Sequence, residues 1–227
     1  MDSKKVDVLI IDNYPLHVQV YRKLLKEIEL TNEGWSFRVS EANSCDSAID
    51  LLDRIEATRG TINLVFLEIK IPPSKRKSYL SGEDIGTEIR ERFQGVRILI
   101  NTVLDNSYRI NTIFDNINPE GLIIRSDVNF EVLLFAIKQV LIDNPYYSGQ
   151  VLRFLNKSKD YSISLDIWDR KILYELSLGT KMKDLPVVLP LSLGAIEKRK
   201  RNIKLLFGIE GVDDRKLLDK ARSFGVI

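Results

Sequence analysis

The chain has 227 residues, 44% hydrophobic and 29% charged, an ordinary globular composition with length for one large or two modest domains. Its single cysteine, Cys45, excludes an intramolecular disulfide framework, and no apolar run has the length of a membrane span or a signal-peptide core, so a cytoplasmic protein with no membrane partner is expected. The net charge of +2 is unevenly divided: residues 151–227 hold 16 Lys and Arg against 10 Asp and Glu, and residues 1–150 hold 18 against 22, so a polyanion is expected to meet the second part.

Residues 6–11 are short, β-branched and mostly apolar, ended by Asp12, Asn13 and Pro15, and read as a buried parallel strand. Residues 16–28 follow with Leu16, Val20, Leu24, Leu25 and Ile28 at helical spacing. The alternation repeats, with strands expected at 37–42, 62–67, 96–100 and 121–124 and helices at 47–55, 84–93, 107–116 and 129–142. Five strands alternating with five helices imply an α/β fold, a five-stranded doubly wound parallel sheet covered on both faces. Such sheets bind ligands beyond the carboxyl ends of their strands. Here those ends carry Asp12, Asn13, Glu68, Thr102 and Arg125, each of which, taken singly, also suits a strand end meeting solvent.

The order of these residues resembles the receiver domain of bacterial two-component response regulators, over about residues 5–142. Residues 10–15, 64–72, 121–126 and Thr102 carry the resemblance. It implies an Mg²⁺-binding acidic pair after the first strand and a phosphoacceptor Asp after the third. It also implies Thr or Ser after the fourth strand and Lys after the fifth. Asp12 and Thr102 fit this pattern. Asn13 replaces the second acid, which takes a carboxylate from a hard-cation site, so only Asp12 remains for Mg²⁺ and no metal or cofactor is expected. Glu68 stands at the phosphoacceptor position, one methylene longer, and a misplacement of about 1 Å can cost roughly 100-fold in rate. Arg125 replaces the point charge of Lys with a planar fork. Leu122 stands where many receivers have an aromatic switch residue. A degenerate phosphorylation pocket is therefore expected, in which Glu68 reaches toward Thr102 and pairs with Arg125 as a weak internal mimic of a phosphoryl group.

The connection at 71–82 is long for this fold and carries Lys75, Arg76 and Lys77; it reads as a solvated loop or as an interaction loop beside the pocket. His17, the only histidine, reads as a surface residue of the first helix, and Cys45 as a small buried residue.

Pro145 breaks the fifth helix, residues 151–155 have room for a helical turn or two, and 156–164 are polar. The expected organisation is a domain at 1–145, a linker with a short helix at 146–164, and a second domain at 165–227. There Asp166 caps a helix bearing Ile167, Ile172, Leu173 and Leu176, and Gly179 ends it. A short helix at 183–189 contains Pro186. Ser192 then caps a helix with five cations in seven residues (Lys198, Arg199, Lys200, Arg201, Lys204) opposite Ile196, Ile203 and Phe207. Asp213 or Asp214 caps a fourth helix. Short helix, tight turn and basic helix form a helix-turn-helix pattern. A solvated charged face and a membrane-surface or calmodulin-like contact are the other readings of a basic amphipathic stretch.

Residues 165–227 resemble the LuxR/NarL-type DNA-binding domain, on residues 169–173, 178–179, 183–185, 191–192, 196–203, 207–208 and 221–227. Pro186 and Glu197 depart from it. On the basic helix, Glu197, Lys198 and Arg201 are expected in the major groove, and Arg199, Lys200 and Lys204 on phosphates. The resemblance implies double-stranded DNA and a second copy of the chain as partners, with a histidine kinase or other protein as a further one. The expectation is a non-enzymatic transcriptional regulator whose atypical receiver works independently of phosphorylation. The alternatives are an ordinary phosphoregulated response regulator and an interaction adaptor that has lost DNA binding.

Overall fold

In the computed structural model, which describes residues 4–31, 34–76, 79–103, 107–157, 165–224 and 226–227, the apolar runs form a parallel sheet. Lys77 and linker residues 158–164 lie outside the described residues. The chain divides into two compact units, residues 1–105 with 113–153, and 106–112 with 154–227.

In the first unit, β1 (Lys4–Ile11), β2 (Trp35–Ala42), β3 (Leu64–Leu67), β4 (Arg97–Thr102) and β5 (Gly121–Ile124) pair in the order β2-β1-β3-β4-β5. The helices between them are α1 (Pro15–Leu30), α2 (Cys45–Ala57), α3 (Gly82–Arg92) and α4 (Ser107–Asn116), with α5 (Phe130–Leu141) after β5. One sheet face buries Val8, Ile10, Phe66, Leu99 and Ile123 against Leu24 and Ile28 of α1 and Ala136, Ile137 and Val140 of α5. Successive strand residues point to opposite faces, and both faces are covered here, which is why the strands read as continuous apolar runs.

The sheet is six-stranded, not five-stranded as expected. After Pro145 the chain turns back along β5 as β6 (Tyr146–Tyr147), with Tyr146 N–H donating to the Glu120 carbonyl (2.9 Å) and Ser148 N–H to that of Leu122 (3.1 Å). Two residues carry no period, so the sequence offers no signal for this strand; at a sheet edge the missing proline amide just before it costs nothing. Helix α6 (Gly149–Lys157) follows.

The second unit contains α7 (Ile167–Ser177), a 3₁₀ turn at Met182–Asp184 running into the one-turn α8 (Leu185–Val188), α9 (Leu193–Leu206) and α10 (Asp214–Ser223). Leu173, Ile203, Phe207, Leu217 and Ala221 form one apolar cluster, and Ile172, Leu185, Leu189 and Ile196 another. Pro186 lies in the first turn of α8, where no helical amide bond is needed. Gly179 has φ +89°, and Thr180 N–H and Gly179 N–H close onto the carbonyls of Glu175 and Leu176, the double bond of a left-handed helix end.

Candidate functional site

The carboxyl ends of β1, β3, β4 and β5 bring Asp12, Glu68, Thr102 and Arg125 together. Glu68 is 2% exposed and is held on both oxygens. Oε1 accepts from Thr102 Oγ1 (3.0 Å) and from Lys70 N–H (2.9 Å), and Oε2 pairs with Arg125 Nη2 (2.5 Å). Arg125 Nη2 also donates to the Asn101 carbonyl at the end of β4 (2.9 Å). The backbone beneath Glu68 is fixed from the other side by α3. A Cβ at Gly82 would lie 2.1 Å from the Glu68 carbonyl oxygen, so only glycine lets the helix start there.

Asp12 is 2% exposed. Its Oδ1 accepts from Tyr14 N–H (2.8 Å), and His17 Nδ1 lies 3.0 Å from Oδ2 and 3.3 Å from Oδ1. His17 is therefore a pocket residue reaching back from the first turn of α1, which corrects its reading as a surface residue. Five residues of separation along a chain that turns at Pro15 gave no periodic signal for this contact. Burial raises the Asp12 carboxyl above the ordinary range, the Tyr14 amide and His17 oppose that rise, and Glu68 adds to it. Asn13 contributes a buried Oδ1 with no hydrogen-bond partner among the described residues.

These groups do not fit a magnesium ion. Both Glu68 oxygens already have protein donors, Asp12 has the Tyr14 amide and the His17 ring against its two oxygens, and Asn13 brings an amide where a second carboxylate would be needed.

The loop at 71–76 is tied to the start of α2. Ser74 Oγ and Lys75 N–H donate to the Asp46 carboxylate (2.5 and 3.1 Å), Arg76 pairs with Asp50 (2.8 Å), and Cys45 N–H donates to the Pro72 carbonyl (3.0 Å). Cys45 is fully buried as expected, and burial pushes its thiol up to about 12.

On α9, Ser192 Oγ accepts from Ala195 N–H (3.3 Å), and Ile196, Ile203 and Phe207 are buried. The five cations separate into two sets. Arg199 pairs with Asp166 (2.6 Å) and Asp169 (2.9 Å) at the start of α7; Lys200 and Lys204 pair with Asp214 (2.9 and 3.4 Å) at the start of α10. The three cations expected on phosphates are thus each committed to an internal carboxylate. Glu197, Lys198 and Arg201 are exposed, and none has an ion pair among the described residues. Asn202 shares this exposed face; the charge run around it hid it from the sequence reading.

No family model and no curated protein sequence matches this chain. Solved structures do. The RcsB response regulator of Salmonella typhimurium is 19% identical, with 98% of this chain and 100% of that one covered and a TM-score of 0.55. A structure of two RcsB dimers bound to two parallel DNAs is 20% identical, with 97% and 99% covered and a TM-score of 0.58. A LuxR-family two-component response regulator from Aurantimonas is 18% identical, with 69% and 99% covered and a TM-score of 0.53. At these identities the likeness shows the fold: a receiver-type α/β unit followed by a helical helix-turn-helix unit, each similar in architecture to those regulators.

Proposed function

We propose that this chain is a DNA-binding transcriptional regulator, not an enzyme, in which a receiver-type domain at 1–145 is joined through 146–164 to a helix-turn-helix domain at 165–227. The receiver pocket is atypical, and its state does not depend on phosphorylation. The observation that carries this reading is the binding of both Glu68 oxygens. A phosphoacceptor needs a free carboxylate oxygen to attack, whereas Glu68 engages Thr102 and Arg125 itself. These are the two positions that the receiver resemblance assigns to phosphoryl contacts, so the carboxylate stands in for a modification with about twice its charge. DNA as a partner is supported by the capped basic helix and by its exposed Lys198, Arg201 and Asn202. A second copy of the chain is proposed by analogy with the RcsB dimers described as bound to DNA.

Incubation with acetyl phosphate and Mg²⁺, followed by intact mass measurement, tests the pocket; the expected outcome is no adduct. An adduct that disappears in Glu68→Gln sinks the phosphorylation-independent reading in favour of an ordinary phosphoregulated regulator, with a histidine kinase as partner. Selection from a random duplex pool tests DNA binding. Inverted half-sites are expected, and failure to enrich any sequence favours an interaction adaptor.

A further inference from the structure

After Pro145 the chain lies back along the receiver-type unit, and residues 146–151 are held there largely through side chains. β6 pairs two residues with β5, a short ladder whose bonds each replace one to water. Beyond it, the hydroxyl of Ser148, a buried residue, accepts from Ile124 N–H (3.2 Å). Gln150 N–H donates to Asp127 Oδ2 (2.6 Å), and Gln150 Nε2 donates to Ser126 Oγ (3.0 Å) and to Asp127 Oδ1. Val151 is fully buried. Burial raises the Asp127 carboxyl, but Gln150, Ser148 and Arg153 hold it below the ordinary range overall, so the bonds from Gln150 are charge-assisted at neutral pH.

The partners of Ser148 and Gln150 lie within one run, Ile124 to Asp127, and Arg125 is in the middle of it. Arg125, Ser126 and Asp127 form a single 3₁₀ turn. Arg125 reaches from this turn to Glu68 and to the Asn101 carbonyl, while Ser126 and Asp127 hold Gln150. A hydrogen-bonded chain through one short rigid element ties the two ends together. We propose that residues 146–151 are a releasable strap, and that the Arg125–Asp127 turn makes its seating depend on the Glu68–Arg125 pair. While Glu68 holds Arg125, the strap stays down; when the pair is broken, the strap lets go. Its release frees up to about 20 Å of extended chain on the way to the helical unit, at about 3.3 Å per residue. This goes beyond the proposed function and does not depend on which event breaks the pair. Phosphorylation of Glu68 would break it too, so an adduct in the mass measurement overturns the phosphorylation-independent reading and leaves the strap.

The test is hydrogen exchange of the full chain, read by NMR at single amides. In the unaltered protein the strap amides of Tyr146, Ser148 and Gln150 should exchange faster than those of β1, because they open locally while β1 opens only with the whole unit. Glu68→Gln should speed the strap amides by about fivefold or more, the lower end of ordinary coupling between sites. Leu52→Ala, a cavity made in α2, is the control: it should speed β1 and leave the strap rates unchanged. Coupling is reciprocal, so Gln150→Ala should speed exchange of the Lys70 amide, which donates to Glu68 Oε1, and leave β1 unchanged. This second arm decides the matter if Glu68→Gln does not fold. Strap amides as slow as those of β1, strap rates unchanged in Glu68→Gln or raised equally in Leu52→Ala, or an unchanged Lys70 amide in Gln150→Ala overturns the strap.

Discussion

Glu68 has three donors, and its removal leaves the half-buried Arg125 guanidinium short of its counter-charge. Glu68→Gln keeps the shape and loses the charge, so the unfolding free energy should fall by about 1.5–3 kcal/mol, read as a lower urea midpoint at unchanged slope. Asp12 behaves differently because burial raises it. An acid with a raised folded-state value binds more protons folded than unfolded in the window above its ordinary value, so its contribution to stability falls as pH rises through that window. Asp12→Asn should remove this fall, giving a flatter profile of urea midpoint as pH rises above the ordinary carboxylate value. The variant also breaks the His17 contact, so an unchanged profile would show that Asp12 is not the group responsible.

On α9, the aspartates at the starts of α7 and α10 draw in cations that would otherwise meet a polyanion. Burial raises the Asp214 carboxyl, but Lys200 and Lys204 hold it below the ordinary range overall. Its stabilising contribution is therefore present above the ordinary carboxylate value and lost as pH falls through the lowered one. At neutral pH, Asp214→Asn releases Lys200 and Lys204. The slope of log affinity for DNA against log salt should then steepen by about 1–2, because each phosphate newly neutralised contributes about 0.9. Gel shifts across a salt series measure it, and an unchanged slope would mean that the two lysines stay away from phosphates even when free. This pairing also shows where the sequence was legible. The helices, their caps and the buried stripe of α9 follow from local spacing, and each formed within a few residues of expectation. Ion pairs between helices 14 to 33 residues apart do not, because no period relates Asp166 to Arg199 or Asp214 to Lys200. The same holds for His17 on Asp12 and for β6. The Glu68, Thr102 and Arg125 cluster was legible because strand order in a parallel sheet brings strand ends together whatever the loops do.

Charge separates the molecule as well as topology does. Residues 151–227 carry the excess of 16 cationic over 10 acidic side chains, and the rest of the chain is acidic. Long-range attraction to DNA should therefore belong to the helical unit. A fragment spanning 165–227 should reproduce the salt slope of the full chain to within about 1, and a much shallower slope would place phosphate contacts in the receiver-type unit.

The tight seating of Gly82 on the Glu68 carbonyl has an evolutionary corollary. The backbone at 68 is a fixed anchor, and only the length of the arm growing from it is free to vary. Glutamate and aspartate codons differ by a single base, so a lineage could shorten that arm by one methylene in one step without disturbing the helix above it. The shorter carboxylate would lose its hold on Arg125 and Thr102 and become available to react. A carboxylate held in place and one open to reaction would then be neighbours in sequence space, separated by the smallest change the genetic code allows.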